Sequence, residues 1–319
     1  MTRTSPLTAM HQTIPPASLI ICSRNRRELL RDTVHSVLGG EQLPSEIVII
    51  DQSDMPDPVL EPHPAVRGCS IRYHWTDCRG VSASRNAGAS TARHDLLVFI
   101  DDDMIAAAGW FGTLLIALLD AGDRTVVTGQ VAPAVEAGFV PSTKTDPIPV
   151  VYSGRTGSDV LFSGNMALHR ATLMQIGGFD GRLGPGTPFP AAEDNDVGFR
   201  LLESGYRIAY VPQAVLYHRA WRTRTAHLAL RWRYGLGQGA FYAKHLDLAD
   251  RYMLHRLTGE LKTAMRSVGK TMFTQPSSVL GELLYMFALL AGAAGWLWSF
   301  GYGSPPLPET PCTSRVSDR

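Results

Sequence analysis

Three groups of residues could do chemistry by their type and spacing. The first is Asp101-Asp102-Asp103, which follows the apolar run Leu96-Leu97-Val98-Phe99-Ile100. A buried strand that delivers three carboxylates to one loop gathers like charges that repel unless a cation is present. A hard divalent ion such as Mg²⁺ or Mn²⁺ takes oxygen ligands, accepts one or two carboxylates and fills its shell with water and substrate phosphate. The group therefore predicts a bound nucleotide diphosphate. A solvated acidic turn, or a helix start that favours negative charge, is the plainer account of the same residues.

The second group is Glu193-Asp194-Asn195-Asp196, ahead of a helical pattern with Val197, Phe199, Leu201 and Leu202. A carboxylate here could act as general base on an acceptor hydroxyl, or simply cap the helix. The third group gathers Ser23, Arg24 and Asn25 after one apolar run and Asp51 at the end of the next. Asp51 could accept a base N–H, and the other three could meet base or phosphate; turn and N-cap chemistry accounts for them as well. His218 ends Leu216-Tyr217-His218 and could complete a metal shell or serve as a packing residue.

The elements that must position these residues are legible in the hydrophobic pattern. Short apolar runs at Leu19 to Cys22, Glu46 to Asp51, Ile71 to Trp75, Leu96 to Asp101 and Val126 to Val131 alternate with helical spacing at Arg27 to Leu38, Ser82 to Thr91 and Trp110 to Leu119. This predicts βαβ units and a mainly parallel sheet flanked by helices, whose ligands collect beyond the strand carboxyl ends. The stretch from Ala132 to Ser158, rich in Pro, Gly and Thr, is a candidate lid or acceptor loop. Beyond it we expect strands at Leu161 to Leu168 and Ala214 to His218, and helices at Ala171 to Ile176 and Asn195 to Ser204.

Past His218 the chain turns Arg-, Trp- and His-rich, predicting helices over Arg219 to His245 and Arg251 to Lys270. Ser278 to Phe300 approaches the ~20 apolar residues that cross a bilayer, with Lys262, Arg266 and Lys270 before it, which would keep the catalytic part on the cytoplasmic side. A buried helix is the alternative, and Glu282, Gly292 and Gly295 weigh against a span. Arg222, Arg224, Arg231, Trp232 and Arg233 could meet an anionic lipid or acceptor, or form a solvated face. The expected organisation is a tail over 1–16, one domain over 17–218 with a donor half (17–131) and an acceptor half (132–218), a helical extension over 219–275, an apolar segment over 276–303 and a tail over 304–319.

With 30 Lys plus Arg against 29 Asp plus Glu, no global field attracts nucleic acid. Cys22, Cys69, Cys78 and Cys312 form no C-x-x-C pair, in keeping with a reducing compartment, and Met1 to Pro16 lacks the apolar core of a secretory signal.

In order and spacing, Ser23-Arg24-Asn25, Val48-Ile49-Ile50-Asp51, Gly80-Val81-Ser82-Ala83-Ser84-Arg85-Asn86, Asp101 to Asp103, Ser163-Gly164-Asn165, Gly177-Gly178-Phe179-Asp180 and Glu193-Asp194 resemble the family 2 glycosyltransferases of the GT-A fold, over roughly Ala17 to His218. The resemblance implies a sugar moved from a nucleotide diphosphate donor, most commonly a UDP-sugar, to an acceptor hydroxyl with inversion. It further implies that Asp51 and Arg79 contact the base and that Gly80 and Asn86 shape that pocket. Asp101 would hold the ribose, Asp102 would belong to the same nucleotide site, and Asp103, with His218, would hold Mn²⁺ or Mg²⁺. Asp194 would be the base, Gly164 and Asn165 would line the acceptor side, and Glu193 or Asp196 would support the acceptor. That acceptor could be a carbohydrate, a lipid-linked glycan or a small molecule. The family's motif often reads Gly-Glu-Asp where this chain has Ala192-Glu193-Asp194, which leaves the local loop open. A sugar nucleotidyltransferase would need a Gly-rich basic phosphate loop after the first strand, which is not there, and a non-catalytic nucleotide-sugar-binding module would have no use for Asp194.

Overall fold

Uninterrupted Leu, Ile and Val in Ala17–Ser23 (β1), Glu46–Asp51 (β2) and Leu96–Asp101 (β4) are what a strand needs when helices cover both of its faces. The computed structural model, which describes residues 14–60, 65–77, 79–134, 140, 143–221, 226–271 and 276–302, arranges them accordingly. With Ser70–Trp75 (β3) they run parallel in the order β3-β2-β1-β4. Alternate residues sort to opposite faces. Leu19, Ile21, Ile47 and Ile49 meet helices Arg27–Leu38 (α1) and Trp110–Ala121 (α3). Ile20, Val48, Leu97 and Phe99 meet Val81–Thr91 (α2), Arg170–Gln175 (α4) and Glu193–Glu203 (α5).

Beyond β4 the sheet becomes mixed. Met104–Ala106 (β5), Thr125–Pro133 (β6), Val150–Ser153 (β7), Asn165–His169 (β8) and Arg207–His218 (β9) complete nine strands, with β8 antiparallel between β4 and β6, and β9 parallel to β6. The expected strand at Leu161 to Leu168 begins only at Asn165, because Phe162 to Gly164 turn at the sheet's edge. The expected strand at Ala214 to His218 starts seven residues earlier, at Arg207. Its pairing with β6 shifts register between Gly129 and Gln130, so that Pro212 falls in the irregularity, where a missing N–H costs nothing. Part of the candidate lid, residues 135–139 and 141–142, lies outside the described residues; Lys144 bridges to Val131, and β7 pairs with β9.

The chain ends in Ala226–Lys244 (α6), Tyr252–Thr271 (α7) and Pro276–Phe300 (α8). Glycines let α6 and α8 run in close contact: a Cβ at Gly239 would lie 1.9 Å from the Leu289 carbonyl oxygen, and one at Gly292 would lie 2.1 Å from that of Leu236. Ser278 to Phe300 is long and apolar enough to cross a membrane by length and composition, and it also packs one side on the rest of the chain. Tyr285, Ala288, Leu289 and Trp296 pack inward, while Leu283, Phe287, Leu290 and Trp298 stay exposed. Arg222, Arg224, Cys78, Cys312 and most of both expected tails lie outside the described residues.

Candidate active site

The parallel half of the sheet opens at its carboxyl edge into a cleft of about 640 Å³. The end of β1, the loop after β4, the start of α5 and helices α6 to α8 all contribute to its walls.

Asp101, Asp102 and Asp103 line one end, each in a different environment. Asp102 is turned toward β1, accepting from Ser23 Oγ at 2.7 Å and Arg26 Nη1 at 2.8 Å. Burial pushes its carboxyl up to about 7, with Arg26 opposing and Asp103 reinforcing the rise. Asp103 Oδ2 takes Trp221 Nε1 at 2.8 Å and Arg26 Nη1 at 3.4 Å, and lies 3.5 Å from His218 Nε2. Burial opposes ionisation there too, but His218, Arg26 and Trp221 overcome it and hold Asp103 near 2, as a carboxylate. Arg26 also stacks 4.5 Å above the Trp221 ring. Asp103 and His218 are close enough to share one coordination shell. No group of three or more His, Cys, Asp and Glu able to hold a metal occurs among the described residues. A carboxylate–imidazole pair leaves most positions of an octahedral ion to water and phosphate, as Mg²⁺ and Mn²⁺ prefer.

Asp101 accepts from Arg85 Nη2 at 2.8 Å, and Arg85 Nη1 reaches across to Glu193 at 3.1 Å. Arg85 thus ties the Asp101 to Asp103 end of the cleft to the start of α5. It is buried and lies 5.3 Å from the centre of the Phe179 ring. A Cβ on Gly164 would fall 2.2 Å from Asp101 Oδ2, so that position requires glycine for the carboxylate to sit where it does.

At the other end Asp194 is half-buried. Burial, reinforced by Glu193 and opposed by Arg85, pushes its carboxyl up to about 7. Ala192 just before the pair takes φ 69°, the left-handed region that favours glycine. The chain supplies alanine where the family often has glycine and holds it there from outside: a Cβ on Gly237 of α6 would lie 2.5 Å from the Ala191 carbonyl oxygen.

Several residues expected at the site face elsewhere. Asp51 is buried with its oxygens taken by Ser53 and by Tyr73 Oη, while its neighbour Gln52 lines the cleft. Asn25 pairs with Asp54 on the outer surface, leaving Ser23 and Arg24 on the cleft. Asn86 clamps the Phe179 backbone through both amide atoms. Arg79 is exposed, and Gly80, at φ 95°, caps α2 against Gly186.

Asn165 and Asp196, expected on the acceptor side, are buried off the cleft lining and hold structural partners. Asn165 is buried, accepting from Trp110 Nε1 at 2.8 Å and donating to the carbonyls of Gln130 and Ala214. Asp196 is buried beneath Arg200, Lys244 and His245; Arg200 and Lys244 outweigh the cost of burial and hold it well below the usual carboxylate range. Asn165→Ala is accordingly expected to lower stability by ~1–3 kcal/mol, by orphaning those groups, with KM for either substrate unchanged; thermal unfolding and steady-state kinetics check this.

Sequence reasoning did not select Arg26, Arg85, Asp159 or Gln238. Gln238 bridges Asn195 at 2.7 Å and Asp159 at 3.1 Å on the far wall, where Tyr285 and Glu260 also stand. Arg85 was within reach, inside the Gly80 to Asn86 motif.

Residues 18–166 match glycosyl transferase family 2, and residues 98–302 match glycosyl transferase family group 2. The glucosyl-dolichyl phosphate glucuronosyltransferase of Haloferax volcanii is 27% identical over 92% of this chain and 98% of its own length. The pre-mycofactocin glycosyltransferase of Mycobacterium tuberculosis is 26% identical over 66% of this chain and 45% of its own. Among solved structures, the mannosyltransferase PcManGT of Pyrobaculum calidifontis in complex with GDP-Man and Mn²⁺ aligns with a TM-score of 0.58 at 16% identity, over 89% of this chain and 88% of that one. GalNAc-T7 with UDP, GalNAc and Mn²⁺ aligns at 0.52 and 16%, over 76% and 53%. Those likenesses give the GT-A fold, and with the family match they make this chain a glycosyltransferase of family 2.

Proposed function

We propose that the enzyme moves a sugar from a nucleotide diphosphate sugar to an acceptor hydroxyl by metal-assisted, inverting displacement, at the cytoplasmic face of a membrane. The observation that carries this is one cleft with an ionised Asp103 beside His218 at one end and a basic-shifted Asp194 at the other, joined through Arg85. Asp103 and His218 would hold a divalent cation, which supplies Lewis-acid stabilisation of charge on the leaving diphosphate. Arg24 and Arg26 face the same end and add positive charge to it.

At the other end, Asp194 accepts the acceptor's hydroxyl proton as that oxygen bonds to the anomeric carbon. The bond from that carbon to the diphosphate breaks on the opposite face, so configuration inverts. A carboxylate whose proton affinity is raised toward neutrality suits this role better than an ordinary one. Among carbohydrate, lipid-linked and small-molecule acceptors, the dolichyl phosphate in the name of the Haloferax relative supports a lipid-linked one. UDP-sugars are the first donors to test, with GDP-sugars beside them, since one structural neighbour holds UDP with GalNAc and the other GDP-Man.

The test is nucleotide diphosphate release from a panel of sugar nucleotides with Mn²⁺ or Mg²⁺, with NMR of the product anomer. We expect one donor to turn over, EDTA to lower the rate by about 100-fold or more with recovery on adding metal, and Asp103→Ala to abolish that recovery. Metal-independent turnover, or retained configuration, would overturn the reading.

A further inference from the structure

Among the described residues helix α8 leaves one face largely uncovered, with Phe287 stacked on Trp232 of α6 at its margin, ring centroids 6.1 Å apart. Leu280, Leu283, Phe287, Leu290, Ala294 and Trp298 recur at spacings of three and four and form a single stripe, all of it exposed. Trp298 is 93% exposed and Phe287 66%. The stripe runs for roughly 27 Å along the helix. In water such a surface is a liability that monomeric proteins seldom carry without use.

Its surroundings say what covers it. The only acid on α8, Glu282, is paired to Arg231 at 2.5 Å, and the only acid on α7, Glu260, accepts from Tyr242 and Tyr285 in the interior. Lys262, Arg266 and Lys270 occupy the outer face of the last turns of α7, all exposed, immediately before α8 begins. An apolar stripe with a basic end complements an anionic lipid surface. A second copy of the chain fits less well. A strip one helix wide offers roughly 300 Å², against about 800 Å² per partner in a stable complex, and two copies would bring their basic ends into repulsion or leave them unused.

The same packing argues for lying on the membrane rather than crossing it. The inner face of α8 is bound along its length to α6, which carries Arg231 and Arg233, and Lys244 with its ion pairs. A span would drag those charges into hydrocarbon.

We propose that α8 lies in the headgroup boundary of an anionic bilayer through Leu283, Phe287, Leu290 and Trp298, with Lys262, Arg266 and Lys270 on the lipid phosphates. Because Tyr285 and Arg231 line the cleft from the first half of α8 and its partner helix, docking sets the acceptor end of the cleft beside the bilayer. Resting on the transferase reading for its chemistry, this makes the acceptor a glycan or hydroxyl carried by a lipid.

Vesicle flotation of the full chain tests the surface, using phosphatidylcholine alone and phosphatidylcholine mixed with phosphatidylglycerol. We expect floating with the mixed vesicles, release by alkaline carbonate, and loss in Phe287→Glu/Trp298→Glu. Lys262→Gln/Arg266→Gln/Lys270→Gln should weaken binding on the order of 100-fold, about fivefold per charge. Donor hydrolysis in solution should be unchanged in both variants, so failure of the surface and failure of the transferase reading are read separately. The proposal is overturned by a wild-type chain that does not float, by variants that float equally well, by carbonate resistance, or by sedimentation showing a dimer that the glutamate variant splits.

Discussion

Asp194→Asn is expected to lower kcat by about 10²- to 10⁴-fold while making the protein harder to unfold at pH 8. The first effect is what a positioned general base contributes. The second follows from linkage. A carboxyl raised in the folded state to about 7, from an ordinary value near 4, gives stability that is fully present below the unfolded value and is lost as pH rises through 7. The amide carries no such loss. Melting curves should therefore converge at pH 4, separate progressively toward pH 7 and stay apart above it, with the variant higher by roughly 2–4 °C for each kcal/mol recovered. In the wild type, kcat/KM should fall tenfold per pH unit below about 7, as Asp194 takes up its proton, and the residual activity of the variant should lack that limb. A variant that is inactive but less stable at pH 8 would mean that Asp194 supports the loop rather than the reaction.

Arg85→Met is expected to be the most damaging single change in the parallel half of the sheet and its helices, costing ~3–5 kcal/mol. It leaves Asp101 and Glu193 facing each other with no cation between them. Lysine should recover only part of this, since one ammonium cannot reach both carboxylates in the forked geometry of a guanidinium. Chemical denaturation of Arg85→Met, Asp101→Asn and the double variant checks it: if Arg85 works through this bridge, the double variant loses less than the sum of the two. Strict additivity would mean that the guanidinium does not act through Asp101, leaving Glu193 and Phe179 as its partners.

The contrast between these two residues marks how far the sequence is readable. Asp194 announces itself as a carboxylate opening an amphipathic helix, and Asp101 to Asp103 as acids terminating an apolar strand. Both signals are local, and the parallel half of the sheet rests on equally local runs. Arg85 makes its contact with Glu193 108 residues away, and only its place in the Gly80 to Asn86 motif sets it apart from a solvated arginine. Arg26 reaches Asp102 and Asp103 across 76 and 77 residues. The antiparallel insertion of β8 was not legible either, because alternating strand and helix patterns look the same whichever way a strand enters the sheet. Strands β5 and β7, of three and four residues, are too short to show a period. The buried partners of Asn165 and Asp196 were hidden for a related reason: a polar residue next to a motif looks like part of it, whatever it touches in the fold.

Lys244 has consequences for anyone who would re-engineer this enzyme. It sits at the last turn of α6 with Asp180 at 2.6 Å and Asp196 at 2.5 Å, and all three are buried. The helices after His218 are therefore not a detachable adaptor: grafting another family member's C-terminal region at that border would take a buried cation from two acids beneath α5 and leave them to Arg182 and Arg200 alone. A chimera meant to change the acceptor has to inherit the lysine and both aspartates together, which moves the natural exchange boundary upstream to the loop ahead of Asp180.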